Sequence, residues 1–192
     1  MKRKILKFEK VTDNKWINLF RIKGQNIRGN IVNWLFASRK EDPLNDKSID
    51  AVVIVPIINT PEGKRLVIIK EYRWSVSDFE YGFPAGLVEG IETVESTAKK
   101  ELKEETGLDW VKTTHISNAV YSSPGLSDEA CVMVFVEAEG EISSKNLESA
   151  EDIEAFVVDI DGVNDLLQDP NKKIGAKGWG ILYYYSKLGR IE

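Results

Sequence analysis

Residues 83–108 read FPAGLVEGIETVESTAKKELKEETGL, and this stretch decides how the chain is interpreted. Its second half, Thr93–Thr106, has the pattern of an α-helix. Thr93 is a suitable N-cap, Ala98 and Leu102 form an apolar pair four residues apart, and Gly107 follows where a helix usually ends. Glycines in the first half allow a backbone to approach bound phosphates or a metal closely. The stretch therefore predicts a glycine-bearing loop that leads directly into a helix.

Three carboxylates lie on one face of this predicted helix. Glu101, Glu104 and Glu105 stand at positions i, i+3 and i+4. Like charges at that spacing oppose helix formation, and a divalent cation would relieve the repulsion. Oxygen-only ligands favour Mg²⁺, with Mn²⁺ as an alternative. The competing interpretation is a solvated surface helix laced with ion pairs, such as Glu95 with Lys99.

Composition excludes several other kinds of chemistry. The chain has 192 residues, enough for one domain with a modest addition. The only cysteine is Cys131 and the only histidine is His115, which excludes an internal disulfide and a zinc site built from Cys or His. A net charge of −5 argues against general binding to nucleic acid or to an anionic membrane. With no targeting segment and no apolar run of membrane length, we expect a cytoplasmic protein.

The rest of the chain alternates between predicted strands and helices. Two strands are expected within residues 15–37 around a turn at residues 23–26, followed by a polar linker at residues 39–48. Further strands are predicted at Ala51–Ile58, Leu66–Tyr72, Cys131–Ala138 and Ile153–Ile160, and further helices at Val163–Leu167 and Ala176–Leu188. This order indicates an α/β or α+β layered sandwich.

The spacing within residues 86–108 resembles the Nudix box. Gly86, then Glu92 after five residues, then the run Lys100–Leu108 after seven more, match every constrained position of that signature except one. The exception is Lys100, where the family usually has arginine. The resemblance implies a Nudix-type α/β/α sandwich with a mixed β-sheet, plus a small N-terminal antiparallel sheet. It also implies hydrolysis of a nucleoside diphosphate linked to another group.

Residues outside the box are similar to the ADP-ribose pyrophosphatase branch. These are Phe83–Leu87 before the box and Ser123–Glu129 after it, with Pro124 sixteen residues beyond the box. The resemblance implies metal-dependent cleavage of ADP-ribose or a related nucleoside diphosphate sugar, giving a nucleoside monophosphate and a sugar phosphate. GDP-mannose or another sugar nucleotide is an alternative substrate. A module that senses ADP-ribose without catalysis is a remote alternative.

The resemblance assigns roles within the box residue by residue. Glu101 and Glu105 match metal ligands, Glu104 matches a ligand or a residue that orients the attacking water, and the carbonyl of Ala85 matches a further metal contact. Glu104 and Glu105 are therefore the catalytic candidates of the helix. Gly86, Glu92, Lys100 and Gly107 match residues that organise the box. Lys100 keeps the charge of the usual arginine but loses its bidentate fork.

Outside the box, Glu151 matches the place of a general base, although Glu148, Asp152 and Glu154 are alternatives on the same loop. Residues that match substrate contacts are Trp16, Trp34, Arg39, Arg73, Gly86 and Pro124. One departure is Gly82, where this branch often has an acid, with Glu80 two positions earlier.

The resemblance also suggests a division of the chain and a mode of assembly. Residues 1–48 would form N-terminal strands for dimerisation and base binding, and residues 49–192 would form the Nudix hydrolase domain. Enzymes of this branch are commonly homodimers. The expected partner is therefore a second copy of the chain, besides the nucleoside diphosphate sugar, with neither nucleic acid nor membrane.

Overall fold

The computed structural model describes residues 2–191 and divides them into two compact units. One unit contains the chain up to Asp50 together with Val120–Cys131. The other contains Ala51–Ala119 and the described chain from Val132 onward. None of the helices within residues 2–191 combines the length and the apolar character needed to span a bilayer.

The first unit is built on an antiparallel sheet of three strands, β1 (Lys4–Lys10), β2 (Asn18–Gln25) and β3 (Ile31–Ser38), in that order. Phe20, fully buried on β2, stacks on both Phe8 and Phe36, with ring centroids 5.4 and 5.8 Å apart. The predicted pair of strands is confirmed, but the turn is at residues 26–30 and not at 23–26. Strand β1 was not predicted.

The segment predicted as a linker is held to the first unit by a buried ion pair. Nζ of Lys40 lies 3.0 Å from a carboxylate oxygen of Asp50, and each side chain is only 7% exposed. Lys40 also donates to the carbonyl of Ser48, and Asp50 accepts from the backbone N–H of Ala130. Because burying either charge alone would be costly, the pair fixes the path of this segment.

The second unit contains a large mixed sheet in the order β12-β6-β5-β4-β10-β8, with β11 beside β5 and β7 beside β4. Its strands are β4 (Ala51–Thr60), β5 (Gly63–Arg73), β6 (Asp78–Gly82), β7 (Ala85–Leu87), β8 (Asp109–Ile116), β10 (Ala130–Glu139), β11 (Ile153–Val158) and β12 (Lys173–Ile174). The first two residues of β10 belong to the first unit, where they pair with β9 (Val120–Tyr121). Strands β12 and β6 run parallel.

Three helices cover this sheet: α1 (Val94–Thr106), α2 (Ile160–Gln168) and α3 (Ala176–Leu188). Side chains alternate along β5, so that Ile68 and Glu71 lie on opposite faces. Ile68 lines a cavity with Leu166 of α2, whereas Glu71 interacts electrostatically with Glu105 of α1. Helices therefore cover both faces of the sheet, and the predicted α/β/α sandwich with a small N-terminal sheet is confirmed.

Candidate active site

Local sequence explains where helix α1 begins and ends. The Thr93 hydroxyl accepts a hydrogen bond from the Ser96 backbone N–H, and the Ser96 hydroxyl accepts one from the Thr93 backbone N–H. This reciprocal capping satisfies two N–H groups that would otherwise lack partners. Gly107 adopts a left-handed conformation with φ 78° and ends the helix. The predicted helix is confirmed, and its caps fix its two ends.

Glycine at position 86 allows strand β7 to lie directly against helix α1. A Cβ atom built on Gly86 would collide with the carboxylate of Glu101. Strand β7 is in turn held by β4, where Val52 pairs with Gly86. A side chain at this position would separate the loop from the helix, so the glycine brings the Glu101 carboxylate against the backbone of the loop.

Glu105 is the most deeply buried acid at the site. Its side chain is 4% exposed, and Oε2 accepts a 3.1 Å hydrogen bond from the backbone N–H of Ala85. Burial raises the pKa of Glu105 to about 9, because a charged carboxylate loses its hydration. The hydrogen bond from Ala85 lowers this pKa, while Glu101, Glu71 and Glu151 raise it further. The site therefore crowds several carboxyl groups around a buried one.

Glu101 lies beside Glu105, one helical turn earlier in α1. Burial raises the pKa of Glu101 to about 7, and the nearby carboxylates of Glu104 and Glu151 add to the rise. Lys100 opposes the rise, with Nζ 3.8 Å from Oε1 of Glu101 and 3.7 Å from Oε2 of Glu104. Lys100 is half-exposed and forms no bidentate contact, as expected for lysine in place of arginine.

Glu101 opens into a cleft of about 380 Å³ between the loop and the helix. Its lining includes Ala85, Gly86, Glu92, Lys100, Glu101, Glu148 and Glu151. Glu92 accepts a 3.0 Å hydrogen bond from the Thr97 hydroxyl, which joins the loop to the first turn of α1. The cleft thus brings together predicted metal ligands, organising residues and the predicted base. Neither Glu104 nor Glu105 is in its lining, and Glu105 lines a separate cavity with Ile153 and Glu154.

Strand pairing positions Glu151. Strand β11 runs antiparallel to β5, with Ile153 opposite Glu71, and the backbone N–H of Tyr72 donates to the carbonyl of Asp152. The loop before β11 therefore ends beside the acidic helix. The Glu151 carboxylate accepts a hydrogen bond from the backbone N–H of Glu148. Its role as general base stays a prediction.

Glu71 is an acid of this cluster that the sequence did not nominate. Burial raises its pKa, Glu80 and Glu151 raise it further, and Arg73 lowers it. Nη1 of Arg73 lies 2.5 Å from Oε1 of Glu71. Because Glu71 belongs to a strand and not to the box, no local pattern distinguishes it from an ordinary polar residue near a strand end.

The donor set suits a hard divalent cation. Glu105 is buried and the Glu101 side chain is only 12% exposed, both have raised pKa values, and both lie against the backbone at Ala85 and Gly86. An oxygen-binding cation would stabilise the ionised form of both carboxyl groups. Within residues 2–191, no group of three Asp, Glu, His or Cys side chains is close enough to hold one ion. The carboxylates therefore do not form a closed cage for an ion.

The remaining predicted substrate residues lie in the first unit. Trp16 is 67% exposed and Trp34 is 47% exposed, so neither is a core residue. Arg39 lies 3.8 Å from a carboxylate oxygen of Glu129, and Pro124 lies in a turn closed by the hydrogen bond from Leu126 N–H to the Ser123 carbonyl.

Comparison with known proteins identifies the family. The NUDIX domain model matches residues 47–177. The chain belongs to the Nudix family. One relative is the ADP-ribose pyrophosphatase of Bacillus subtilis, which is 32% identical over 139 residues (71% of this chain and 72% of the relative). Another is the ADP-ribose pyrophosphatase of Saccharomyces cerevisiae, which is 29% identical over 159 residues (79% of this chain and 68% of the relative). A crystal structure of an ADP compounds hydrolase shares the fold, with a TM-score of 0.71, 20% identity and coverage of 100% of this chain and 98% of the other.

Proposed function

We propose that this Nudix hydrolase is a Mg²⁺-dependent pyrophosphohydrolase that splits ADP-ribose or a related nucleoside diphosphate sugar. The products are a nucleoside monophosphate and a sugar phosphate. The observation that carries the proposal is the pair of carboxylates Glu101 and Glu105 beside the glycine loop, whose pKa values are raised to about 7 and about 9 chiefly by burial and further by neighbouring acids. The names of the relatives support the substrate class.

Each residue of the cleft has a proposed task. A bound divalent cation would neutralise the diphosphate and activate a water molecule. Glu101, Glu105 and the Ala85 carbonyl hold the cation, and Glu104 holds it or orients the water. Glu151, which lines the same cleft as Glu101, accepts the proton of the attacking water.

Recognition of the substrate draws on other residues. Arg73 contacts a phosphate of the substrate, and the backbone at Gly86, which lines the cleft, contacts the diphosphate. The exposed rings of Trp16 and Trp34 provide stacking surfaces for the base, each with an apolar face in contact with solvent. Arg39 and the turn at Pro124 complete the contacts. Exposure of the two tryptophans supports this role over a role in packing.

We also propose that the N-terminal sheet forms the interface of a homodimer. The first unit exposes large apolar side chains that include Ile5, Leu6, Ile31 and Leu35, each 49–53% exposed. In the strand register Ile5 shares one face of the sheet with Val32, and Ile31 shares the other face with Leu35; exposed apolar side chains of this kind are typical of a protein interface. Light scattering of the purified protein tests the proposal. A monomer at micromolar concentration would refute it.

A panel of nucleotide sugars tests the function. The protein is incubated with ADP-ribose, ADP-glucose, GDP-mannose and NADH, with Mg²⁺ or with EDTA, and products are separated by anion-exchange chromatography. We expect AMP and ribose 5-phosphate from ADP-ribose with Mg²⁺ only. A preference for GDP-mannose would change the substrate and keep the chemistry, whereas binding without turnover would favour a sensing module. The Glu151→Gln variant controls for contaminating activity.

A further inference from the structure

Arg73 is held between two carboxylates on one face of the sheet. Its Nη1 atom lies 2.5 Å from Oε1 of Glu71, and its Nε atom lies 3.1 Å from Oε2 of Glu80. Glu71 and Arg73 are two residues apart on β5, so their side chains share a face. Glu80 lies directly opposite Glu71 in the register of β5 and β6. The two strands therefore place an acid on each side of the guanidinium.

The second oxygen of Glu80 rests against the start of the C-terminal helix. Strand β12 pairs with β6 so that Lys173 lies opposite Glu80, and Gly175 then forms the N-cap of α3. A Cβ atom built on Gly175 would collide with Oε1 of Glu80. Gly175 provides no side-chain cap of its own. The glycine therefore leaves the space that the Glu80 carboxylate occupies.

This arrangement restricts an otherwise flexible side chain. A free arginine samples many rotamers, and binding through it must pay for their loss. The ion pairs to Glu71 and Glu80 engage Nη1 and Nε, and neither uses Nη2. Glu71 also interacts with Glu151, which lines the cleft of the acidic helix. Arg73 is thus pre-oriented at the border of the acidic cluster and keeps a donor group for a ligand.

We propose that Glu80 and Glu71 are positioning residues that hold Arg73 in one orientation for a phosphate of the substrate, with Gly175 at the start of α3 as the support behind Glu80. The inference rests on the proposed function, in which Arg73 contacts the diphosphate. Affinity for the substrate then depends also on the start of the C-terminal helix α3, which carries none of the residues in the Nudix box.

A double-mutant cycle tests the coupling between Glu80 and Arg73. Glu80→Ala should raise KM for ADP-ribose roughly 3- to 10-fold and change kcat less than twofold, because pre-orientation contributes equally to ground-state and transition-state binding. In an Arg73→Ala background the same substitution should change KM less than twofold. An unchanged KM in the parent background, or an equal increase in both backgrounds, would overturn the proposal.

A pair of glycine variants tests the support from α3. Gly175 has φ −63°, which alanine adopts without strain, so Gly175→Ala should displace only the Glu80 carboxylate and raise KM by a similar factor. Gly180→Ala is the matched control, because a Cβ there has no neighbour within 4 Å and α3 keeps its contacts. Equal KM values for the two variants would refute the role of Gly175.

A spectroscopic measurement separates this proposal from the proposed function. The Nε–Hε resonance of Arg73 should be resolved and slow to exchange in the substrate-free protein, and it should shift or broaden in Glu80→Ala and Gly175→Ala but not in Gly180→Ala. This result would support the fixed orientation of Arg73 by Glu71 and Glu80 even if no nucleotide sugar were hydrolysed. Failure of the proposed function would therefore be recognised separately. A rapidly exchanging Arg73 resonance in the parent protein would refute the fixed orientation.

Discussion

Replacing Glu105 with glutamine removes the most deeply buried ionisable group of the site while keeping the size of the side chain. The unfolded chain loses the proton of this carboxyl near pH 4.5, whereas burial raises its pKa in the folded protein to about 9. Between these values the unfolded state binds fewer protons, so metal-free stability falls as pH rises. Each pH unit costs about 1.4 kcal/mol, which gives a penalty of about 3 kcal/mol at pH 7.

The glutamine variant avoids this penalty and can still accept the hydrogen bond from the Ala85 N–H. We therefore expect Glu105→Gln in EDTA to be more stable than the parent protein by about 2–3 kcal/mol at pH 7, equivalent to roughly 4–12 °C in Tm. The difference should be small near pH 4.5 and should grow up to pH 9. Urea unfolding at several pH values measures it. With saturating Mg²⁺ the same variant should lose at least about 100-fold in kcat.

Glu95→Gln is the matched control on the same helix. Glu95 is exposed and pairs with Lys99 at 2.6 Å, so its loss should change stability by less than about 0.5 kcal/mol and leave turnover intact. Lower metal-free stability of Glu105→Gln, or the same pH dependence of stability as in the parent protein, would refute a stability penalty from the buried Glu105 carboxyl group. Parent-like turnover at saturating Mg²⁺ would remove Glu105 from the cation site.

Three further substitutions test other parts of the structure. Glu151→Gln should lower kcat roughly 10²–10⁴-fold with little change in KM. Glu154→Gln is the control, because the Glu154 carboxylate pairs with Lys70, and it should change kcat little. A larger loss of kcat in Glu154→Gln than in Glu151→Gln would assign the general base to Glu154. Trp34→Ala should raise KM for ADP-ribose roughly 5- to 150-fold, and its Tm should stay close to the parent value because the ring is 47% exposed; a large fall in Tm with unchanged KM would contradict a stacking role. Gly107→Ala should cost at least about 1–2 kcal/mol in urea unfolding, because φ is 78° and the new Cβ would meet Ser143 backbone atoms at 2.8 and 2.9 Å.

Local sequence was sufficient to predict helix α1 and the longer strands. The α1 caps at Thr93 and Gly107 depend on residues within a few positions of each helix end, and the apolar spacing within the helix repeats every turn. Strands β4 and β10 are continuous apolar runs, which a buried strand requires. These features need no knowledge of distant parts of the chain.

Other elements could not be predicted in this way. Strand β8 is mostly exposed and has no apolar alternation, and β6, β7 and β12 contain only two to five residues. Such strands exist because a neighbouring strand supplies their hydrogen bonds. Pairing of this kind joins residues that are far apart in sequence, so propensity carries little information about it.

In the candidate site, too, local sequence predicted some features and tertiary structure decided others. The sequence alone identified the family and nominated Glu101, Glu104 and Glu105, because their spacing places them on one face of a single helix. Only the tertiary structure separated them: Glu105 is buried against the Ala85 N–H, Glu101 lines the cleft, and Glu104 lies outside it beside Lys100. Burial and charge crowding depend on what packs against the helix, and those terms set the pKa of each acid.

The arrangement of Glu71, Glu80 and Gly175 around Arg73 depends most clearly on tertiary structure. Glu71, Glu80 and Gly175 come from β5, β6 and the start of α3, are separated by up to about a hundred residues, and have nothing in their local sequence that relates them. The antiparallel register of β5 with β6 and the parallel pairing of β6 with β12 bring them together. Register is decided by which side chains a sheet must bury across its whole width, so it becomes defined only when the strands pair.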